Sequence, residues 1–278
     1  MRVIRAEFMG LCFGVRDALA IARDTHDPDS VSIYGELVHN PAIQGELTSR
    51  GFKVVDERQR DSATMSERVM ITAHGVSQKR LASLRSKTRE IIDTTCPLVR
   101  RVHEASQTLE HENRLVILIG RKGHVEVQGI IEDLKRSIVI ETPEQVVCWN
   151  EPALGILSQS TTTPELAHRC LARILELNSL SDVRYVDTIC RPTRQRQQAL
   201  EALCKSVGKV VVVGGQHSNN TRQLAHRCVE LGCAAIQIET AEELHAEMFS
   251  GMDVVGLTAG TSTPDDTIDE VAKRLATF

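Results

Sequence analysis

The chain has 278 residues, enough for about two domains by length alone, and its 41% hydrophobic and 25% charged content is that of an ordinary globular protein. Against 37 acidic residues stand 33 basic ones, a net charge of −4, and five Phe, two Tyr and one Trp are too few for a base-stacking platform, so a nucleic-acid partner is excluded. No apolar run nears the roughly 18 residues of a membrane span, and the N-terminus enters a strand without the apolar stretch of a signal peptide, so a cytoplasmic location is expected.

Residues 3–8 read as a strand, Met9-Gly10-Leu11-Cys12-Phe13-Gly14 as a turn, and the segment from Val15 as a helix. Residues 32–38 read as the next strand and end in His39-Asn40-Pro41, where Asn40 suits a cap and Pro41 the first helical position. The strand 69–73 ends in His74-Gly75-Val76-Ser77, ahead of a Lys/Arg-studded helix. The β-branched pair Ile91-Ile92 leads through Asp93-Thr94-Thr95 to Cys96, with Pro97 opening a helix behind it. Residues 115–119 deliver Gly120-Arg121-Lys122-Gly123-His124-Val125-Glu126, and 153–157 deliver Ser158-Gln159-Ser160-Thr161. The strand 183–187 runs into Thr188-Ile189-Cys190 and a long polar helix. Residues 210–215 precede Gln216-His217-Ser218-Asn219-Asn220, and 254–258 precede Ala259-Gly260-Thr261-Ser262-Thr263-Pro264.

This alternation predicts an α/β fold with mainly parallel sheets. Cys12, Cys96 and Cys190 each close a strand, open a helix, and stand about a third of the chain apart. The predicted organisation is three small α/β modules around a central site: 13–95, 96–189, and 190–278 with 1–12, each of roughly three strand-helix units. At a helix N-terminus the dipole and free amides favour a thiolate, which is a nucleophile or a metal ligand. Convergence of the three thiols at the carboxyl ends of the strands is where open α/β sheets place ligands. The other cysteines, Cys148, Cys170, Cys204, Cys228 and Cys233, lie in or beside apolar-periodic segments and are expected to be buried structural thiols.

No C-x-x-C pair, G-x-G-x-x-G or P-loop occurs, so a zinc ribbon, a built-in dinucleotide site and a nucleotide triphosphatase are unsupported. Three thiolates on a [4Fe-4S] cluster would leave one iron open to substrate, with electrons coming from a separate carrier. The histidine and Ser/Asn loops, with glycines admitting close backbone approach, suit an anion, although each read alone is equally a helix cap. His124 and Glu126, taken as an extended segment, share a face and form an acid with a proton relay.

Six stretches taken together, Gly10-Leu11-Cys12-Phe13-Gly14-Val15, Leu37-Val38-His39-Asn40, Ala73-His74-Gly75-Val76-Ser77, Thr95-Cys96-Pro97-Leu98-Val99, Gly123-His124-Val125-Glu126-Val127 and Thr258-Ala259-Gly260-Thr261-Ser262-Thr263-Pro264-Asp265, resemble the successive motifs of the IspH/LytB family over nearly the whole chain. The resemblance implies reductive removal of the allylic hydroxyl of 4-hydroxy-3-methylbut-2-enyl diphosphate as water, giving isopentenyl and dimethylallyl diphosphates. It implies one [4Fe-4S] cluster on Cys12, Cys96 and Cys190 with an open iron site, and Glu126, His124 and Ser160 as catalytic residues. It further implies a diphosphate held by His39, His74, His124, Ser218, Asn219, Asn220 and Ser262, a ferredoxin or flavodoxin as electron donor, and a monomer. Ser160 stands where the family usually has threonine, Asn219 where it has a second serine, and Phe13 where it has a small residue. Arg191-Pro192 and Arg194-Gln195 alter the loop after the third cysteine. A paralogue acting on another anionic substrate, and a non-enzymatic iron–sulfur or zinc sensor, are the alternative readings at this stage.

Overall fold

The computed structural model describes residues 1–57, 59–60 and 63–278. By its contacts the chain divides into a smaller unit, Met1–Val15, His39–Pro41 and Arg191–Phe278, and a larger one, Arg16–Val38 and Ala42–Cys190. The chain begins with β1 (Arg2–Arg5) and α1 (Phe13–Asp24). Then come β2 (Val31–Ile33), α2 (Pro41–Ser49), β3 (Lys53–Val54), β4 (Arg68–Ile71), α3 (Gln78–Lys87) and β5 (Glu90–Asp93). The strands β2 to β5 form one sheet of the larger unit, in the order β3-β2-β4-β5. Next are α4 (Pro97–His111), β6 (Leu115–Ile119), α5 (Val125–Ile131), β7 (Ser137–Ile140), β8 (Ala153–Ser158), α6 (Pro164–Leu177) and β9 (Asp182–Val186), which give that unit's second sheet, β7-β6-β8-β9. The smaller unit holds α7 (Arg191–Cys204), β10 (Lys209–Val213), α8 (Asn219–Glu230), β11 (Ala234–Ile238), β12 (Val254–Ala259) and α9 (Asp265–Ala276); β1 completes its sheet, β1-β12-β10-β11.

Every strand pairing is parallel. Such sheets are covered on both faces, and their strands are continuous apolar runs. Alternate residues of β10 show how each face is filled. Val211 and Val213 pack with Val255 and Leu257 against Ile268, Val271 and Leu275 of α9. Val210 and Val212 face Leu200 and Leu203 of α7 and Leu224 of α8. In the same way Ile117 and Ile119 of β6 meet Cys170 and Ile174 of α6, while Val116 and Leu118 meet Val102 and Leu109 of α4. Each such fully buried side chain contributes about 1.5–3 kcal/mol over its exposed state. Two strands carry glycine where a helix comes close: a Cβ at Gly155 would lie 2.9 Å from Leu109 Cβ of α4, and one at Gly256 3.0 Å from Leu203 Cδ2 of α7.

All three sheets share one topology. The first strand is flanked by the second and third, and the fourth lies beyond the third; in the smaller unit β1 takes the fourth place. The order of connection across the sheet therefore reverses between first and third strands, and the crevice at their carboxyl ends is the switch point at which α/β sheets bind ligands. The loops after β2, β6 and β10 and after β4, β8 and β12 are the His, Ser and Asn loops of the sequence. The three candidate cysteines follow the fourth strands β1, β5 and β9.

Four strands per sheet exceed the three strand-helix units expected of each third. The additions β3, β7 and β11 are outer strands, and β3 is only two residues long. The strand expected at 32–38 stops at Ile33, because Gly35 has φ +112°, outside the extended region. Among the described residues no helix is long and apolar enough to cross a membrane.

Candidate active site

In the larger unit Cys96 is the N-cap of α4, with Pro97 in the first turn. Its carbonyl accepts from Val99 N (2.9 Å) and Arg100 N (3.1 Å), and its own N–H donates to Ala73 O (3.1 Å). The cysteine is thereby fixed beside the loop that begins with His74. Upstream, Asp93 Oδ1 accepts from Thr95 N and Oγ1 at 2.9 and 2.6 Å, and Thr94 Oγ1 donates to Ile71 O at 2.6 Å. Cys190, just ahead of α7, repeats this bracing. Asp187 Oδ1 accepts from Ile189 N at 3.2 Å, Thr188 Oγ1 donates to Ser158 O at 2.5 Å, and Cys190 N donates to Ser160 O at 2.9 Å. The sequence carries the same signal as a repeated Asp-Thr-x-Cys, Asp93 to Cys96 and Asp187 to Cys190.

Glu126 lies between these loops. It is 1% exposed; Ser160 N donates to its Oε1 at 2.7 Å and Ser160 Oγ to its Oε2 at 2.8 Å. Burial pushes the Glu126 carboxyl above its ordinary range, and the two Ser160 bonds offset part of that rise. Residues 124–126 are not the extended segment expected. His124 caps α5, its Nδ1 accepting from Glu126 N at 3.2 Å, and Glu126 is in the first helical turn. A capping imidazole followed by a first-turn carboxylate is a helix start. The His74 and His124 rings meet edge to face, centroids 5.5 Å apart. The larger unit thus links Cys96, His74, His124, Glu126, Ser160 and Cys190 in one chain of contacts.

The smaller unit carries Cys12, His39, Ser218, Asn219, Asn220 and Ser262. Cys12 N donates to Thr261 O (3.1 Å) and Gly10 N to Ala259 O (3.4 Å), so this cysteine also leans on the loop after a third strand. Gly10 has φ +72°, and a Cβ there would sit 2.8 Å from Ile268 Cδ1. Arg196, 5% exposed, donates through Nη2 to Gly10 O and through Nη1 to Pro192 O (3.1 Å), a brace on the Cys12 turn with no motif in the sequence to announce it.

Ser218 caps α8, accepting from Thr221 N at 3.4 Å. Asn219 and Asn220 are the first two helical residues, both buried. Asn220 Oδ1 accepts from Thr261 N at 3.1 Å, whereas Asn220 Nδ2 is buried without a hydrogen-bond partner. Ser262 Oγ donates to His39 O at 3.1 Å. A helix N-terminus and a buried amide donor make a site suited to an anion, and Gly214 and Gly260 leave room for the Thr221 side chain packed against them.

All eight cysteines are thiols rather than disulfides. Cys12, Cys96 and Cys190 are half-buried, and Cys170, Cys228 and Cys233 are buried as expected, but Cys148 is exposed and Cys204 half-buried. Cys148 leaves the core because it lies in the irregular connection between β7 and β8, where Asn150 takes φ +55°.

A family model described as LytB protein matches residues 3–276. A 4-hydroxy-3-methylbut-2-enyl diphosphate reductase from Aquifex aeolicus (strain VF5) is 35% identical over 98% of this chain and 95% of its own length. One of the same name from Thermoanaerobacter sp. (strain X514) is 33% identical over 99% and 96%. A solved structure of (E)-4-hydroxy-3-methyl-but-2-enyl diphosphate reductase, the terminal enzyme of the non-mevalonate pathway, aligns with TM-score 0.69 at 34% identity, covering 99% of each chain. The Plasmodium falciparum reductase structure shares the fold, with TM-score 0.89 at 24% identity over 99% of this chain and 87% of that one. Matched along its length by the family model and by relatives above 30% identity, this chain belongs to the LytB family.

Proposed function

We propose that this protein is a 4-hydroxy-3-methylbut-2-enyl diphosphate reductase acting in isoprenoid biosynthesis. The family is one of iron–sulfur enzymes, and our reading gives this chain one [4Fe-4S] cluster held by Cys12, Cys96 and Cys190, with the fourth iron open. The donor set fits: thiolates are the ligands of such clusters, and these three half-buried thiols each follow a fourth strand and precede a helix, each with its N–H tied to the loop after a third strand. When bound, the cluster supplies electrons and an open Lewis-acidic iron.

The observation that carries the reading is the buried Glu126 carboxyl clasped by Ser160 in the contact chain with His74, His124 and the two cysteine loops. A carboxyl raised by burial holds a proton at a pH where an exposed one has lost it. In our reading the Ser160 hydroxyl orients the substrate's allylic hydroxyl, and Glu126 gives the proton with which that hydroxyl leaves as water. His124, which fixes Glu126 N through Nδ1, assists with His74 beside it. Ser218, Asn219, Asn220 and Ser262, with His39, hold the diphosphate. The balance is one substrate, two electrons and two protons giving one isopentenyl or dimethylallyl diphosphate and one water. Electrons come from a reduced ferredoxin or flavodoxin; the protein acts as a cytoplasmic monomer.

The test is product identification. Anaerobically purified protein, incubated with reduced methyl viologen and the hydroxy diphosphate, yields isopentenyl and dimethylallyl diphosphates. Recovery of unchanged substrate from protein carrying full iron and sulfide would refute the proposal.

A further inference from the structure

Three cysteines outside the reaction come together in the smaller unit. Cys204 closes α7, Cys228 lies in α8 and Cys233 in the connection to β11. All three share an apolar cluster with Leu200, Leu203 and Leu224. The Cys204 thiol lies within electrostatic reach of those of Cys228 and Cys233. Cys233 Sγ also donates to Cys204 O at 3.4 Å and to Val207 O at 3.1 Å, and Cys233 N donates to Cys228 O at 2.9 Å. Cys228 and Cys233 are buried, whereas Cys204 is half-buried, so reagents reach the group through Cys204.

The surroundings decide which reagent this group takes. Burial pushes Cys228 up to about 11 and raises Cys204 as well, and the neighbouring thiols raise Cys204 further. At neutral pH Cys204 and Cys228 are thiols. A divalent cation would need thiolates, and so would bring charge into an apolar cluster. A trivalent organoarsenical needs no thiolate. Its oxygen is exchanged for two sulfurs: two S–H bonds and the arsenic–oxygen bond break, two arsenic–sulfur bonds form, and oxygen leaves with both protons as water. Nothing is oxidised or reduced, and the product is neutral.

We propose that Cys204, with Cys228 or Cys233 as its partner, forms a dithiol site for trivalent arsenicals, separate from the cysteines assigned to the cluster.

The probe is phenylarsine oxide, added in slight excess to anaerobic, cluster-loaded full-length protein while the cluster's visible absorption is followed. Intact mass is predicted to show one phenylarsenic bridge with loss of one water, and digestion to locate it on the peptide of Cys204 joined to that of Cys228 or Cys233, with absorption unchanged. Since Cys204 is the shared partner, Cys204→Ser is predicted to abolish the adduct. Cys228→Ser and Cys233→Ser singly are predicted to keep it, and the double variant to lose it. An unmodified wild type, an adduct confined to Cys12, Cys96 or Cys190, or one that survives Cys204→Ser would overturn the proposal. Peptide mapping of the wild type decides the matter even if a variant fails to fold.

Discussion

Ser160 holds Glu126 from two sides, its backbone N–H on one carboxylate oxygen at 2.7 Å and its hydroxyl on the other at 2.8 Å. The pair spans the switch point of its sheet, Glu126 following the first strand β6 and Ser160 the third strand β8. Two charge-assisted bonds at one end and full burial at the other place opposite demands on the carboxyl. Burial is the larger of the two.

Glu126→Gln keeps the shape and one acceptor oxygen for Ser160 N, but it has no proton to give. The expected result is loss of turnover by about 10²-fold or more, with iron content and visible spectrum unchanged. The check is a steady-state assay beside an absorption spectrum of the same sample.

The raised carboxyl also sets a pH dependence of stability. Its folded value lies above the unfolded one, so the folded state binds more protons between the two. Its contribution is fully present below the unfolded value of about 4.5 and is lost as pH rises through the folded value. Relative to wild type, Glu126→Gln is therefore expected to gain stability with rising pH across that window. Urea denaturation at a series of pH values measures this; parallel curves for the two proteins would argue against a buried, raised Glu126.

Ser160→Ala removes the hydroxyl bond, one of the two contacts that hold the carboxyl down, and leaves the backbone bond. Glu126 then rises further, and the alkaline limb of the kcat/KM profile moves to higher pH while kcat falls by about tenfold. Ser160→Thr restores a hydroxyl and with it the wild-type limb.

Thr188 Oγ1 both donates to Ser158 O and accepts from Ser158 N (2.9 Å), in full burial. Thr188→Val strips both bonds and is predicted to cost about 1–3 kcal/mol. It also loosens the turn that sets Cys190, so iron content per chain falls. Thermal unfolding and iron analysis report the two effects separately.

Asn220 keeps one end on Thr261 N and has a buried, unsatisfied Nδ2 at the other. Asn220→Ala is expected to raise KM for the diphosphate by about tenfold, the scale of one hydrogen bond to a charged group, with the iron content held. An unchanged KM would remove Asn220 from the diphosphate site.

Much of this architecture was legible because parallel sheets write themselves plainly: β6, β8, β10 and β12 are buried on both faces, and their Val, Ile and Leu runs stand out. The outer strands β1, β5 and β9 were legible because each runs into a cysteine at a strand-to-helix junction, whereas β3 (Lys53-Val54), β7 (Ser137-Ile138-Val139-Ile140) and β11 (Ala234-Ala235-Ile236-Gln237-Ile238), outer strands as well, run into no such junction and escaped. Thiols at strand-to-helix junctions were legible from Pro97 and the flanking runs. The helix at Val125 was not, because a histidine cap is an uncommon helix start. Arg196 was invisible for a different reason: its contact with Gly10 O joins residues 186 apart in sequence, and no local pattern encodes it.

The central claim is a substrate-dependent flow of electrons through this chain. The direct measurement is anaerobic: load the protein to full iron and sulfide, reduce methyl viologen, add 4-hydroxy-3-methylbut-2-enyl diphosphate and follow the dye. Two viologens oxidised for each diphosphate consumed, with Glu126→Gln silent, is the predicted result. Dye that stays reduced over a fully loaded wild-type protein would contradict the account.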